Sequence, residues 1–104
     1  MHYVLIATHS AEICPSSNGK TRKLMQESAQ DIPGVAEKAG VKIVAGPYVS
    51  REHISVVVVE ATGGEELDQF ILDSRLAQWN SVRVLPSKTI QEGMAEIEQS
   101  PVVY

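Results

Sequence analysis

Four consecutive valines, Val56 to Val59, close the β-prone run Ile54–Val59, and across those four positions no polar side chain alternates with the apolar ones. A strand patterned in this way belongs at the centre of a sheet, with cover on both faces. At 104 residues the chain builds one domain, residues 1–104, around one core. The valine strand therefore decides the architecture, and the other segments are read around it.

Tyr3 to Thr8 is a first β-prone run that ends at His9, and Ser10 to Gly19 then reads as a long loop without periodicity. From Lys20, Met25, Ala29, Ile32, Ala36 and Ala39 recur at helical spacing, with Asn18 or Ser17 as N-cap and Gly40 as terminator. Pro33 within this pattern predicts a kink or restart near Asp31. Val41 to Val44 is the second strand, and Gly46-Pro47 marks it as an irregular edge strand. Beyond the valine strand, Glu65-Glu66 open a helix with the stripe Leu67, Phe70, Ile71 that ends near Trp79. Ser81 to Leu85 is the fourth strand, stopped by Pro86. Thr89 to Glu92 matches a capping box for a short third helix carrying Met94 and Ile97. The apolar tail Pro101–Tyr104 is expected to pack on its own domain or extend a neighbour's sheet.

The order strand, helix, strand, strand, helix, strand predicts an α+β split βαβ arrangement, with an antiparallel sheet and both main helices on one face. The central strands are apolar on both faces, so the second face needs a partner. Each valine left in water forgoes about 1.5 to 3 kcal/mol, which predicts a homodimer or larger homo-oligomer. The same topology gathers His9, Glu12, Cys14, Asn18, Lys20, Tyr48, Arg51, Glu52, His53, Gln78, Trp79 and Asn80 at one rim of the sheet.

Composition narrows the partners. A formal net charge of −4 without a basic stripe argues against nucleic acid, and no apolar run is long enough to span a membrane. The start Met1-His2-Tyr3 shows no basic leader or apolar signal segment, which predicts a cytoplasmic protein. Cys14 is the only cysteine, so its thiol is structural, reactive or a ligand.

Pro33, Ala36-Glu37-Lys38-Ala39-Gly40 and Val56-Val57-Val58-Val59-Glu60-Ala61 together resemble the GYD-domain proteins of the dimeric α/β-barrel group over half the chain. The resemblance implies a ferredoxin-like monomer, here with an extra C-terminal helix, that pairs sheet to sheet. The Gly-Tyr-Asp signature is absent, with His53 and Ile54 standing where Tyr and Asp would be. The family's site chemistry is therefore not carried over, and its group spans enzymes and sensing modules.

Two chemistries are written at the rim. His9, Glu12, Cys14 and His53 offer imidazole, carboxylate and thiolate donors, a set suited to zinc, iron or copper and ill suited to magnesium or calcium. Alternatively Cys14 acts as nucleophile or redox thiol with His9 as its base. In that reading Lys20, Arg22 and Lys23, at a helix start where cations are disfavoured, invite an anion. Tyr48 and Trp79 could wall a pocket for a flat or apolar small-molecule ligand, with Asn80 and Gln78 giving directional hydrogen bonds and Lys20 a further ligand contact. The expected function is ligand or metal binding at this rim, with redox, oxygenase-like or lyase activity if catalytic. The alternative is a sensing or assembly module with no metal, in which the histidines are backbone-bonded strand ends and Cys14 a small hydrophobe.

Overall fold

The strand-forming runs pair as one antiparallel sheet of β1 (His2–Thr8), β2 (Lys42–Val49), β3 (Ile54–Glu60) and β4 (Ser81–Ser87), in the order β2-β3-β1-β4. Five helices join them: α1 (Gly19–Ser28), α2 (Ile32–Ala39), α3 (Gly64–Asp73), α4 (Leu76–Trp79) and α5 (Ile90–Gln99). This computed structural model describes residues 1–103; Tyr104, the end of the tail expected to pack or extend a sheet, lies outside the described residues. The mixed α+β architecture and the central places of β1 and β3 agree with the sequence reading, and the strand order is compatible with a ferredoxin-like arrangement.

Pairing register sorts the valines by face. Leu5 stands opposite Val57 and Tyr3 opposite Val59, and these residues form the buried core with Ala36 and Ala39 of α2 and Leu67 and Phe70 of α3. The intervening pairs, Val4 with Val58 and Ile6 with Val56, point to the other face, where they are half-buried. Helical residues of the core all join the first set. The four valines thus divide between the helix-covered face, with Val57 and Val59, and the open face, with Val56 and Val58.

Local chemistry explains four helix ends. Asn18 caps α1 by accepting from the Thr21 amide at 3.0 Å. Helix restart occurs where Pro33 predicts it, with the Asp31 carboxylate accepting from the Gly34 amide at 3.1 Å. Gly40 ends α2 in the left-handed region, where a side chain is strained. Thr89 and Glu92 complete the capping box of α5.

Three boundaries differ from expectation. β2 runs past Val44 to Val49, because register shifts between Ile43 and Tyr48 absorb Gly46-Pro47; at Gly46, φ +81°, a Cβ would stand 2.7 Å from the Val56 carbonyl oxygen. Pro86 does not stop β4, which continues to Ser87, since an edge strand tolerates a proline. The helix after Gly64 does not reach Trp79 unbroken: Arg75, with φ +59°, separates α3 from α4. The described part of the tail does not pack on this domain, as Pro101, Val102 and Val103 are exposed.

Removing core volume under the helices should be far costlier than removing it on the open face. Leu5 is fully enclosed, so Leu5→Ala is expected to cost about 3 kcal/mol and to lower Tm by roughly 15 °C. Val58→Ala, measured in the same thermal melt, is expected to cost less than about 1 kcal/mol in the monomer.

Candidate metal centre

The end of the β1/β3 ladder brings two histidines together. One step beyond the last strand pair, the His9 amide donates to the His53 carbonyl at 3.2 Å, and the two rings meet edge to face with centroids 5.3 Å apart. His53 reaches this place from the β2–β3 turn, held in the left-handed region at φ +60°. The turn closes through the Ser50 amide and hydroxyl, which both donate to the Ile54 carbonyl, at 3.0 and 2.9 Å. Histidine tolerates that backbone region better than most residues, but glycine prefers it.

Cys14 arrives from the loop between β1 and α1, which is tied by its own polar groups. Ser17 and Asn18 donate backbone amides to the Cys14 carbonyl at 3.0 and 2.8 Å. The Asn18 side chain donates to the Glu12 carbonyl at 3.1 Å, and Arg22 bonds the carbonyls of Pro15 and Ser16 at 2.8 and 2.7 Å. The result is one ligand atom from each of His9, Cys14 and His53, all within 4.8 Å of one another.

Asn80 fixes the state of His9. Its amide Nδ2 donates to the Leu76 carbonyl at 3.1 Å, which leaves Oδ1 to face His9 Nδ1 at 3.0 Å. An amide oxygen only accepts, so Nδ1 carries the proton, and in the neutral ring Nε2 keeps its lone pair. That Nε2 is buried and has no hydrogen-bond partner among the described residues. An amide or carboxylate behind one ring nitrogen, with the other left bare, is how ligating histidines are commonly oriented.

Cys14 is biased toward thiolate. Its sulfur lies 3.0 Å from the Ser16 hydroxyl. That hydroxyl and the Ser16 backbone amide, both donating to the sulfur, are the main causes that bring the thiol from an ordinary 9.0 down to about 6.

The three donors open on a cleft of about 490 Å³, walled in addition by Pro15, Ser16, Val49, Ser50, Arg51 and Trp79. Trp79 leans on His9 with ring centroids 5.1 Å apart. Of the residues singled out from sequence, His9, Cys14, His53 and Trp79 meet here, and Asn80 stands behind His9 as its orienting partner, not as a contact for a ligand. Glu12 is exposed and falls outside the donor group, because the loop turns its backbone, not its carboxylate, toward Asn18. Tyr48 and Lys20 are exposed and do not line the cleft; Tyr48 pairs with Val56 on the open sheet face. Of the cations at the start of α1, Arg22 is spent on loop carbonyls, and Lys20 and Lys23 are exposed. Arg51, placed at this rim from the sequence, lines the cleft, and Ser16 was missed. Ser16, two residues after a cysteine in a turn-forming stretch, was the legible signal.

Alkylation of Cys14 by iodoacetamide should follow thiolate population. The rate is expected to reach half its maximum near pH 6 in metal-free protein, and Ser16→Ala should move that midpoint upward. A midpoint near an ordinary thiol value would contradict the hydrogen-bond account.

Comparison with family models, with curated proteins and with solved structures finds no match to this chain.

Proposed function

We propose that His9, Cys14 and His53 hold a transition-metal ion that acts on a small molecule in the adjoining cleft, and that the protein works as a homodimer. The observation that carries the metal reading is the bare, buried Nε2 of His9, held beside a thiolate-prone cysteine and a second imidazole. A buried polar atom without a partner costs about 1–3 kcal/mol, and an ion between the three donors would remove that cost. Two imidazoles and a thiolate suit zinc and copper best, with iron next. Three protein donors and a fourth position open to the cleft describe a working centre, not a closed structural one. Such an ion supplies Lewis acidity or, if copper or iron, redox chemistry. Around it, Asn80 fixes the His9 tautomer, Ser16 keeps the sulfur deprotonated, and Trp79 and Val49 give the cleft an apolar wall.

Protein produced with zinc, copper and iron supplied should carry close to one metal ion per chain by elemental analysis. His9→Ala, Cys14→Ser and His53→Ala should each lose it, Glu12→Ala should keep it, and Asn80→Ala should weaken metal affinity about 10- to 100-fold. His53→Gly should lose the metal yet raise Tm of the metal-free protein, because glycine relieves the left-handed backbone at that position. Absence of metal from every preparation would sink this reading and leave a non-catalytic sensing or assembly module in its place.

A second copy is supported by two apolar surfaces of one chain. The open sheet face presents Val4, Ile6, Val56, Val58 and Leu85, and α5 carries Ile90, Met94 and Ile97 along one stripe, with Ile90 72% and Ile97 65% exposed. Face-to-face pairing of two sheets, as in a dimeric α/β barrel, covers the first, and a partner's edge covers the second. Val57 is unsuited to testing this, since it lies in the core under the helices. Val58→Asp places the charge on the open face and is expected to yield a folded monomer by sedimentation at concentrations where the parent protein is a dimer. A parent protein that is monomeric at tens of micromolar would rule the pairing out.

A further inference from the structure

Behind the metal cleft lies a second, more enclosed space of about 170 Å³ between the sheet and the helices. Its floor is Leu5, Ala7 and Val57, and its roof Met25, Ile32 and Phe70. It exists because α1 stands off the sheet, with Thr21 its one buried residue. No charged side chain lines it. Two of its hydroxyls are already committed, Ser28 Oγ donating to the Leu24 carbonyl at 2.8 Å and Ser74 Oγ to the Ile71 carbonyl at 3.2 Å. An occupant would find contact area and almost no polar partner, so it must be uncharged and apolar. Size points the same way: an apolar cavity of about 150 Å³ in another protein stays dry and takes up benzene.

Trp79 and Val49 line both this space and the cleft of His9, Cys14 and His53. They are the shared wall, and His9 leans on the Trp79 ring from the metal side. We infer that this cavity is a binding site for a small uncharged aromatic or aliphatic molecule of about benzene to toluene size, which is the substrate class presented to the centre beyond Trp79. The cavity as a binding site stands by itself; its assignment to substrate rests on the metal reading proposed above.

Toluene is the probe, and Trp79, the only tryptophan in the chain, reports on the cavity by its emission. Saturable binding is expected, with a shift in Trp79 emission confirmed by ligand-observed NMR. Ser55→Leu and Ala29→Leu, which add volume at two lining positions, should each weaken toluene binding at least tenfold with Tm unchanged or raised. 1,3,5-Triisopropylbenzene, too bulky for the space, should not bind the parent protein, so the size test holds even if a filled variant fails to fold. Unsaturable toluene signals, or equal binding of the bulky probe, would overturn the site. Cys14→Ser, which removes a metal donor, should leave toluene affinity within twofold. Toluene binding in a protein that never takes up metal would therefore keep the cavity and defeat the metal reading, whereas metal uptake without toluene binding would do the reverse. With cobalt bound as a spectroscopic probe, saturation with toluene should shift the visible absorption bands in the parent protein and not in Ser55→Leu. An unshifted spectrum in the saturated parent would overturn the assignment to substrate.

Discussion

Antiparallel pairing of β1 with β3 is the constraint on which everything else hangs. It sets Leu5 against Val57 and Tyr3 against Val59 beneath the helices, and Ile6 against Val56 and Val4 against Val58 on the far side. One residue of slippage would exchange the two faces and put Ile54, Val56, Val58 and the charged Glu60 under the helices. The same ladder, run one step past Thr8 and Ile54, ends with the His9 amide on the His53 carbonyl. Core, open face and candidate site are therefore set by one register. A change that loosens the pairing reaches all three.

How far the sequence could be read follows from this. Four valines in a row declare a central strand, yet period alone cannot say which of them faces the helices, because every face of an all-apolar strand looks alike. Assignment of Val57 to the core needed the register. Pro33 and Thr89 announced a helix restart and a helix start correctly because their effect is local and steric or hydrogen-bonded. Pro86 misled because its cost depends on whether a neighbour strand lies beyond it, which is a property of the assembled sheet. Arg75 gave no sign: a non-glycine residue in the left-handed region is chosen by what surrounds it, not by its own propensity.

The candidate site was legible as a donor set and illegible as an arrangement. Loops that leave one rim of an antiparallel sheet must meet there, so His9, Cys14 and His53 could be grouped from topology. Glu12 could not be excluded that way, since a loop decides side-chain direction through its own hydrogen bonds, here Asn18 to the Glu12 carbonyl and Ser17 to that of Ala11. Asn80 was foreseen as a residue at the site but with another task. Its role depends on α4 ending where the Leu76 carbonyl can take the amide hydrogen, and that helix is a single short turn with no periodic signature.

Three features at the rim run against stability: an imidazole nitrogen buried without a partner, a histidine in left-handed backbone, and a space beneath α1 left unfilled by side chains. Each has a cheaper alternative open to the sequence, in a polar neighbour for His9, a glycine at position 53 and a larger residue at Ala29 or Ser55. Elsewhere side chains cap α1, α2 and α5 and a glycine ends α2, while Arg75 carries a further left-handed backbone between α3 and α4. Local costs accumulate where a structure is held for something other than its own stability. All three lie along one line, from the donors through His9 and Trp79 into the cavity, and an ion at one end with an apolar molecule at the other would relieve the first and fill the third. The second, the backbone of His53, would remain, as the cost of aiming an imidazole into the cleft from a tight turn.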